Sequence, residues 1–105
     1  MSLVYEVTAV VELELADGWE RYMRERHIPD VLATGCFTGA TLARASGGRY
    51  LIRYHLASRA DLERYLAQAA PALRAEFAAR YPGGVALTRE TWEQVQEWAA
   101  GRSSG

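Results

Sequence analysis

The chain has few side chains that could carry chemistry, and His27 is the first among them. It closes an apolar spacing of Trp19, Met23 and His27 at i, i+4 and i+8, which a helix would turn to one side. An imidazole so placed could act as a general acid or base, or hold a ligand carboxylate. It could equally be a core histidine that bonds a backbone carbonyl or Tyr5 and caps the helix end, the commoner role for such a residue. The dipole of a helix C-terminus would favour the imidazolium there, while burial would oppose it.

Aromatic residues supply a second candidate. Tyr5, Tyr50, Tyr54, Trp19 and Phe37 could wall a pocket between a sheet and its helices, or simply fill a core. Arg74, just after Pro71, could recognise a carboxylate at the pocket mouth, or pair with Glu76 or another surface acid. The candidate ligand site is therefore Trp19, His27, Tyr5, Tyr54 and Arg74, with no catalytic residue assigned. An enclosed cavity of roughly 300 Å³ or more would mark a binding pocket; a smaller one would mark a filled core.

Other chemistries find no support. All twelve basic side chains are arginine, which removes lysine Schiff bases, lysine general bases and the P-loop lysine. The single cysteine, Cys36, has no internal partner and no CxxC zinc spacing, which suits a reducing, cytoplasmic compartment. The five serines fall at turns, caps or termini without triad context, and Gly47-Gly48 and Gly83-Gly84 are turn glycines rather than a phosphate cradle. His55 alternates away from Tyr54, so it and His27 should lie on opposite sides of a sheet, and no metal or other cofactor is expected. A net charge of −1, with acids and arginines interleaved, argues against nucleic acid as a partner. No apolar run approaches membrane-spanning length, so no membrane partner is expected either.

The elements that must position these residues can be read from periodicity. Val4–Leu15 alternates apolar and polar positions, predicting one long strand, and Asp17-Gly-Trp-Glu20 has capping-box spacing for a helix after it. Pro29 should end or break that helix near His27 and open a short turn that Gly35 closes. Cys36–Ala45 and Arg49–Leu56 flank Ser46-Gly47-Gly48, a hairpin signal. Ser58–Asp61 caps a second helix, which Pro71 interrupts and Pro82-Gly83-Gly84 stops; Val85 to about Trp92 reads as the last strand, and the tail from Gly101 as frayed.

The order predicts an α+β, ferredoxin-like βαββαβ fold in one domain over 1–105, with its core at about 3–95. Both helices would cover one face of a four-stranded antiparallel sheet. The other face, carrying Val10 and Leu51, would need a second copy of the chain, giving a homodimer.

The run Trp19–Gly35 (WERYMRERHIPDVLATG), then Cys36-Phe37-Thr38, Tyr65-Leu66 and Ala70-Pro71-Ala72-Leu73-Arg74, resembles a bacterial family catalogued as domain of unknown function 4286. The resemblance extends over nearly the whole chain. That family in turn resembles the dimeric α/β-barrel superfamily, whose members include small monooxygenases, isomerases, haem-degrading enzymes and binding proteins. His27-Ile28-Pro29 is similar to an H-x-P element in other families of the superfamily. The resemblance implies the fold and the homodimer and leaves the reaction open. The expected function is a non-catalytic interaction or small-molecule-binding protein, taking a small apolar or carboxylate-bearing ligand. The alternative is a cofactor-independent enzyme, monooxygenase- or isomerase-like, with His27 as acid or base.

Overall fold

A computed structural model describes residues 2–101. In chain order it contains β1 (Leu3–Val11), α1 (Leu13–Tyr22), a π-helical turn (Met23–His27), α2 (Ile28–Ala33), β2 (Gly39–Ala45), β3 (Arg49–Leu56), α3 (Arg59–Gln68), α4 (Ala70–Arg80) and β4 (Val85–Glu93). The strands form one antiparallel sheet in the order β2-β3-β1-β4, the ferredoxin-like arrangement. No helix among the described residues is long and apolar enough to cross a membrane.

The first strand stops four residues earlier than its alternation predicts. Leu13 and Leu15 continue the period-two pattern, yet they lie in α1, and Leu13 is 75% exposed. The reason is the supply of partners. The ladder to β3 ends at Val10↔Arg49 and the ladder to β4 at Val11↔Val85, because both neighbouring strands run into glycine turns there. The Gly48 carbonyl accepts the last bond, from the Val11 N–H, and the Gly84 carbonyl accepts from the Glu12 N–H. With no acceptors beyond, a segment rich in Leu, Glu and Ala takes the helix instead. Asp17 and Glu20 therefore lie inside α1 and form no capping box; the residue before the helix is Glu12, which makes no side-chain cap.

Pro29 does not break the first helical run. Ile28 N–H donates to the Met23 carbonyl, five residues back, so the turn before the proline is widened. A regular turn would press the proline ring against the carbonyl four residues earlier; the π turn relieves that contact and lets α2 continue with Pro29 near its start. Gly35 then terminates the run at φ +76°, as expected. The second half follows the sequence closely. Ser58 accepts from the Asp61 N–H, α3 and α4 meet at the Pro71 interruption, and β3 has the predicted bounds. Only β2 is shorter than predicted, beginning at Gly39. The expectation of a frayed tail falls mainly on 102–105, outside the described residues.

One face of the sheet presents Tyr5, Ala9 and Val11 of β1 and Tyr50, Ile52, Tyr54 and Leu56 of β3, all buried under the helices. Trp19, Met23, Val31, Leu62 and Tyr65 close over them. No helix covers the opposite face: Val4 is buried there and Leu51 half-buried, but Val10 is 54% and Trp92 50% exposed, Arg53 pairs with Glu6 at 2.9 Å, and Thr8 is hydrogen-bonded to Thr88.

Two glycines report on different constraints. At Gly35 an added Cβ would meet nothing within 4 Å, so only the positive φ opposes substitution; Gly35→Val should cost about 1 kcal/mol or somewhat more. At Gly48, φ is +73° and a Cβ would strike the Val11 backbone carbonyl. Gly48→Ala should therefore cost more than Gly35→Val despite the smaller side chain, as read by urea melts of the two variants. The reverse order would show that the closing of β1 against Gly48 is not as tight as described.

Candidate functional site

A cavity of about 40 Å³ lies between the sheet and the helices. Its sheet wall is Tyr5, Val7, Ile52 and Tyr54, joined by Leu87 and Arg89 from β4. Trp19, Met23 and His27 enter from the first helical run, and Tyr65, Leu73, Arg74 and Phe77 from α3 and α4. All five residues of the sequence-derived site, Tyr5, Trp19, His27, Tyr54 and Arg74, thus meet at one place. Tyr50 and Phe37 do not line it. Tyr50 packs on Trp19 (ring centroids 4.6 Å apart) and its hydroxyl donates to Glu20; Phe37 packs on Tyr54 and Tyr65. The volume is well below the roughly 300 Å³ of a drug-sized site and admits only a few water molecules.

His27 makes neither the bond to Tyr5 nor the helix cap that the core reading offered. Its ring stacks on Tyr22 (6.0 Å, 29°) and meets Phe77 edge-on (5.5 Å, 63°). Tyr5 is not its partner: that hydroxyl accepts a 2.9 Å hydrogen bond from Arg74 Nη2. Nor does His27 sit at a helix C-terminus, because the π turn carries the chain on into α2. The dipole argument therefore fails and desolvation prevails: burial lowers the His27 pKa below its ordinary 6.5, with Asp30 and Glu76 opposing the shift. The imidazole is neutral at pH 7 and can accept or donate one proton.

The phenols are neutral too. Burial raises the Tyr54 pKa strongly and pushes Tyr65 up to about 12, so both remain hydrogen-bond donors across the physiological range. Arg74 is not paired with Glu76, whose carboxylate faces Arg26 at 3.5 Å. Among the described residues, two buried side-chain polar atoms have no hydrogen-bond partner: Nε1 of Trp19, a residue of the cavity wall, and the hydroxyl of Tyr22, which is not. Cys36 is buried and free. Among the described residues no group of three or more His, Cys, Asp or Glu side chains could hold a metal.

Sequence reasoning missed Arg89. Val85, Leu87 and Arg89 alternate on the helix-facing side of β4, so a charge at the third position of that apolar series was a readable signal. Met23 shares the apolar spacing of Trp19 and His27, and its place in the cavity wall, like that of Tyr65 and Phe77, followed only from how the helices cross the sheet.

Residues 2–95 match the model of the family described as domain of unknown function (DUF4286), and the chain belongs to that family. No curated protein matches it in sequence. Solved structures show the fold in other proteins. SnoaB, a cofactor-independent oxygenase from Streptomyces nogalater, is 17% identical, with 91% of this chain and 95% of that chain covered and a TM-score of 0.69. HapK from Hahella chejuensis is 16% identical over 96% of this chain and 100% of its own, with a TM-score of 0.70. A mutant of MhuD crystallised with two manganese protoporphyrin IX molecules per active site is 19% identical over 93% and 99%, with a TM-score of 0.71. At these identities the likeness establishes the fold, that of the dimeric α/β-barrel proteins, and no activity.

The lowered His27 pKa has a stability consequence. The unfolded chain binds a proton at about pH 6.5 that the folded chain takes up only at lower pH, so stability should rise with pH through that window and be lost as pH falls through it. Thermal melts between about pH 5 and 8 should show this slope in the wild type and a reduced one in His27→Gln. An unchanged slope in the variant would assign the effect to other groups.

Proposed function

We propose that this protein binds a small molecule in the helix–sheet cavity and works as a two-fold homodimer. The observation that carries the reading is the Trp19 indole. It is 0% exposed, it lines the cavity, and its Nε1–H has no partner. An unpaired buried donor costs about 1–3 kcal/mol, and a phenylalanine would fill a purely structural position without that cost. A ligand oxygen is the acceptor this donor suits.

At 40 Å³ the space is filled core as it stands, so a ligand enters only if the walls part. Of its walls, α4 contributes Leu73, Arg74 and Phe77 to the cavity while fully burying only the small Ala70. Movement of α4 is the way in. The homodimer rests on the bare sheet face. There, Glu90 stands directly opposite Glu6, a like-charge pair whose only cation in the same row of the sheet, Arg53, already serves Glu6. A second copy brings a further arginine to that face and covers Val10 and Trp92. A cytoplasmic setting, inferred from the lone cysteine, belongs to the same reading.

A second reading, a cofactor-independent enzyme, draws on His27. A neutral imidazole beside an enclosed aromatic cavity could take a proton from a bound substrate. Turnover lost in His27→Gln at unchanged ligand affinity would separate this reading from binding alone.

Two measurements test the main reading. Light scattering at high micromolar concentration should give the dimer mass, and a monomer would overturn that part. Trp19→Phe removes the unpaired donor but also part of the largest fully buried side chain, so a lowered melting temperature is expected; at temperatures where the variant is folded it should weaken a ligand found by thermal-shift screening about five- to tenfold, the worth of one hydrogen bond. Equal affinity in the variant would remove Trp19 from the site.

A further inference from the structure

We propose that the ligand is an anion, a flat apolar body carrying one carboxylate, and that Arg74, Arg89 and Tyr5 form the clamp for its charged end. This rests on the cavity being a binding site, and it specifies what that site selects.

The cavity wall contains two arginines and one histidine but no aspartate or glutamate. Acids are not scarce in the chain, which has thirteen against twelve arginines. Among the described residues, arginines 24, 26, 44, 53, 59 and 64 are in ion pairs, while Arg21, Arg49, Arg74, Arg80 and Arg89 are in none; of these five, only Arg74 and Arg89 line the cavity. The nearest acids in sequence are turned elsewhere. Glu76 faces Arg26, and Glu90, next to Arg89, alternates onto the opposite face of the sheet beside Glu6.

The two arginines enter the cavity wall from different elements, Arg74 from α4 and Arg89 from β4. Arg74 reaches down from α4 to donate to the tyrosine oxygen at 2.9 Å. Arg89 pairs in register with Val7, two residues along the same face of β1 from Tyr5. The Tyr5 oxygen is thus an acceptor for Arg74, which leaves its own proton for a ligand oxygen. Two forked cations and one hydroxyl match the lone pairs of a carboxylate. Behind them, Tyr54 and Phe77 offer apolar surface for the rest of the molecule, and an oxygen substituent on that body is the acceptor for the Trp19 N–H. Like charges held at one mouth without a counter-ion repel each other, and an anion between them removes that repulsion.

The test uses a matched pair of probes, 1-naphthoate and the neutral 1-naphthamide, followed by calorimetry and by the Trp19 indole N–H resonance. Naphthoate should bind more tightly than the amide, lose affinity as salt is raised, and shift the Trp19 resonance. Arg89→Gln, a change at an exposed side chain, should weaken naphthoate about tenfold and leave the amide unaffected. Arg74→Gln should do the same, and Arg74→Lys should retain part of the affinity. If both probes move the Trp19 resonance with equal affinity and the arginine variants change neither, the anion assignment is overturned while the cavity stands as a binding site. If neither probe perturbs Trp19, the binding reading falls with it.

Discussion

β1 is hydrogen-bonded along both edges, and the two ladders it makes set the position of almost everything else. Its register against β3 places Tyr5 opposite Tyr54 and Ala9 opposite Tyr50, which gathers the aromatic residues on one face. Its register against β4 places Arg89 opposite Val7 on the same face and Glu90 opposite Glu6 on the other. A slip of one residue in either ladder would exchange those faces, burying charges and exposing the core. The strand also ends where its neighbours turn, which is why the first helix starts at Leu13 and Trp19 reaches the sheet at the level of Tyr50.

Helix packing above the sheet then shapes the site. The π turn at Met23–His27 absorbs Pro29 without a break, so one helical run crosses the sheet and delivers both Trp19 and His27 to the cavity. The price in free energy falls on polar groups: the Trp19 N–H is left without an acceptor, and the His27 imidazole is kept neutral by burial. Polar groups held in this way amid apolar packing are what a selective pocket needs, because a ligand that supplies the missing partner gains what the protein lacks.

Much of this was legible in the residues themselves. Period-two alternation in β3, the Ser58 cap and the glycine turns are local signals, satisfied by contacts within a few positions, and they appear in the structure where the sequence puts them. That Tyr5, Trp19, His27, Tyr54 and Arg74 would face the same space was also legible, since strand alternation and helical spacing decide which way each side chain faces. What only the tertiary structure decided were outcomes set by distant partners. The end of β1 depended on where β3 and β4 turn, and the state of His27 on a helix that continues past Pro29. The partner of Arg74 proved to be Tyr5, sixty-nine residues away, rather than an acid two residues along. Cavity volume likewise depended on how closely the aromatic rings pack once assembled. Local sequence specifies direction and periodicity; hydrogen-bond supply, desolvation and packing are properties of the assembled chain.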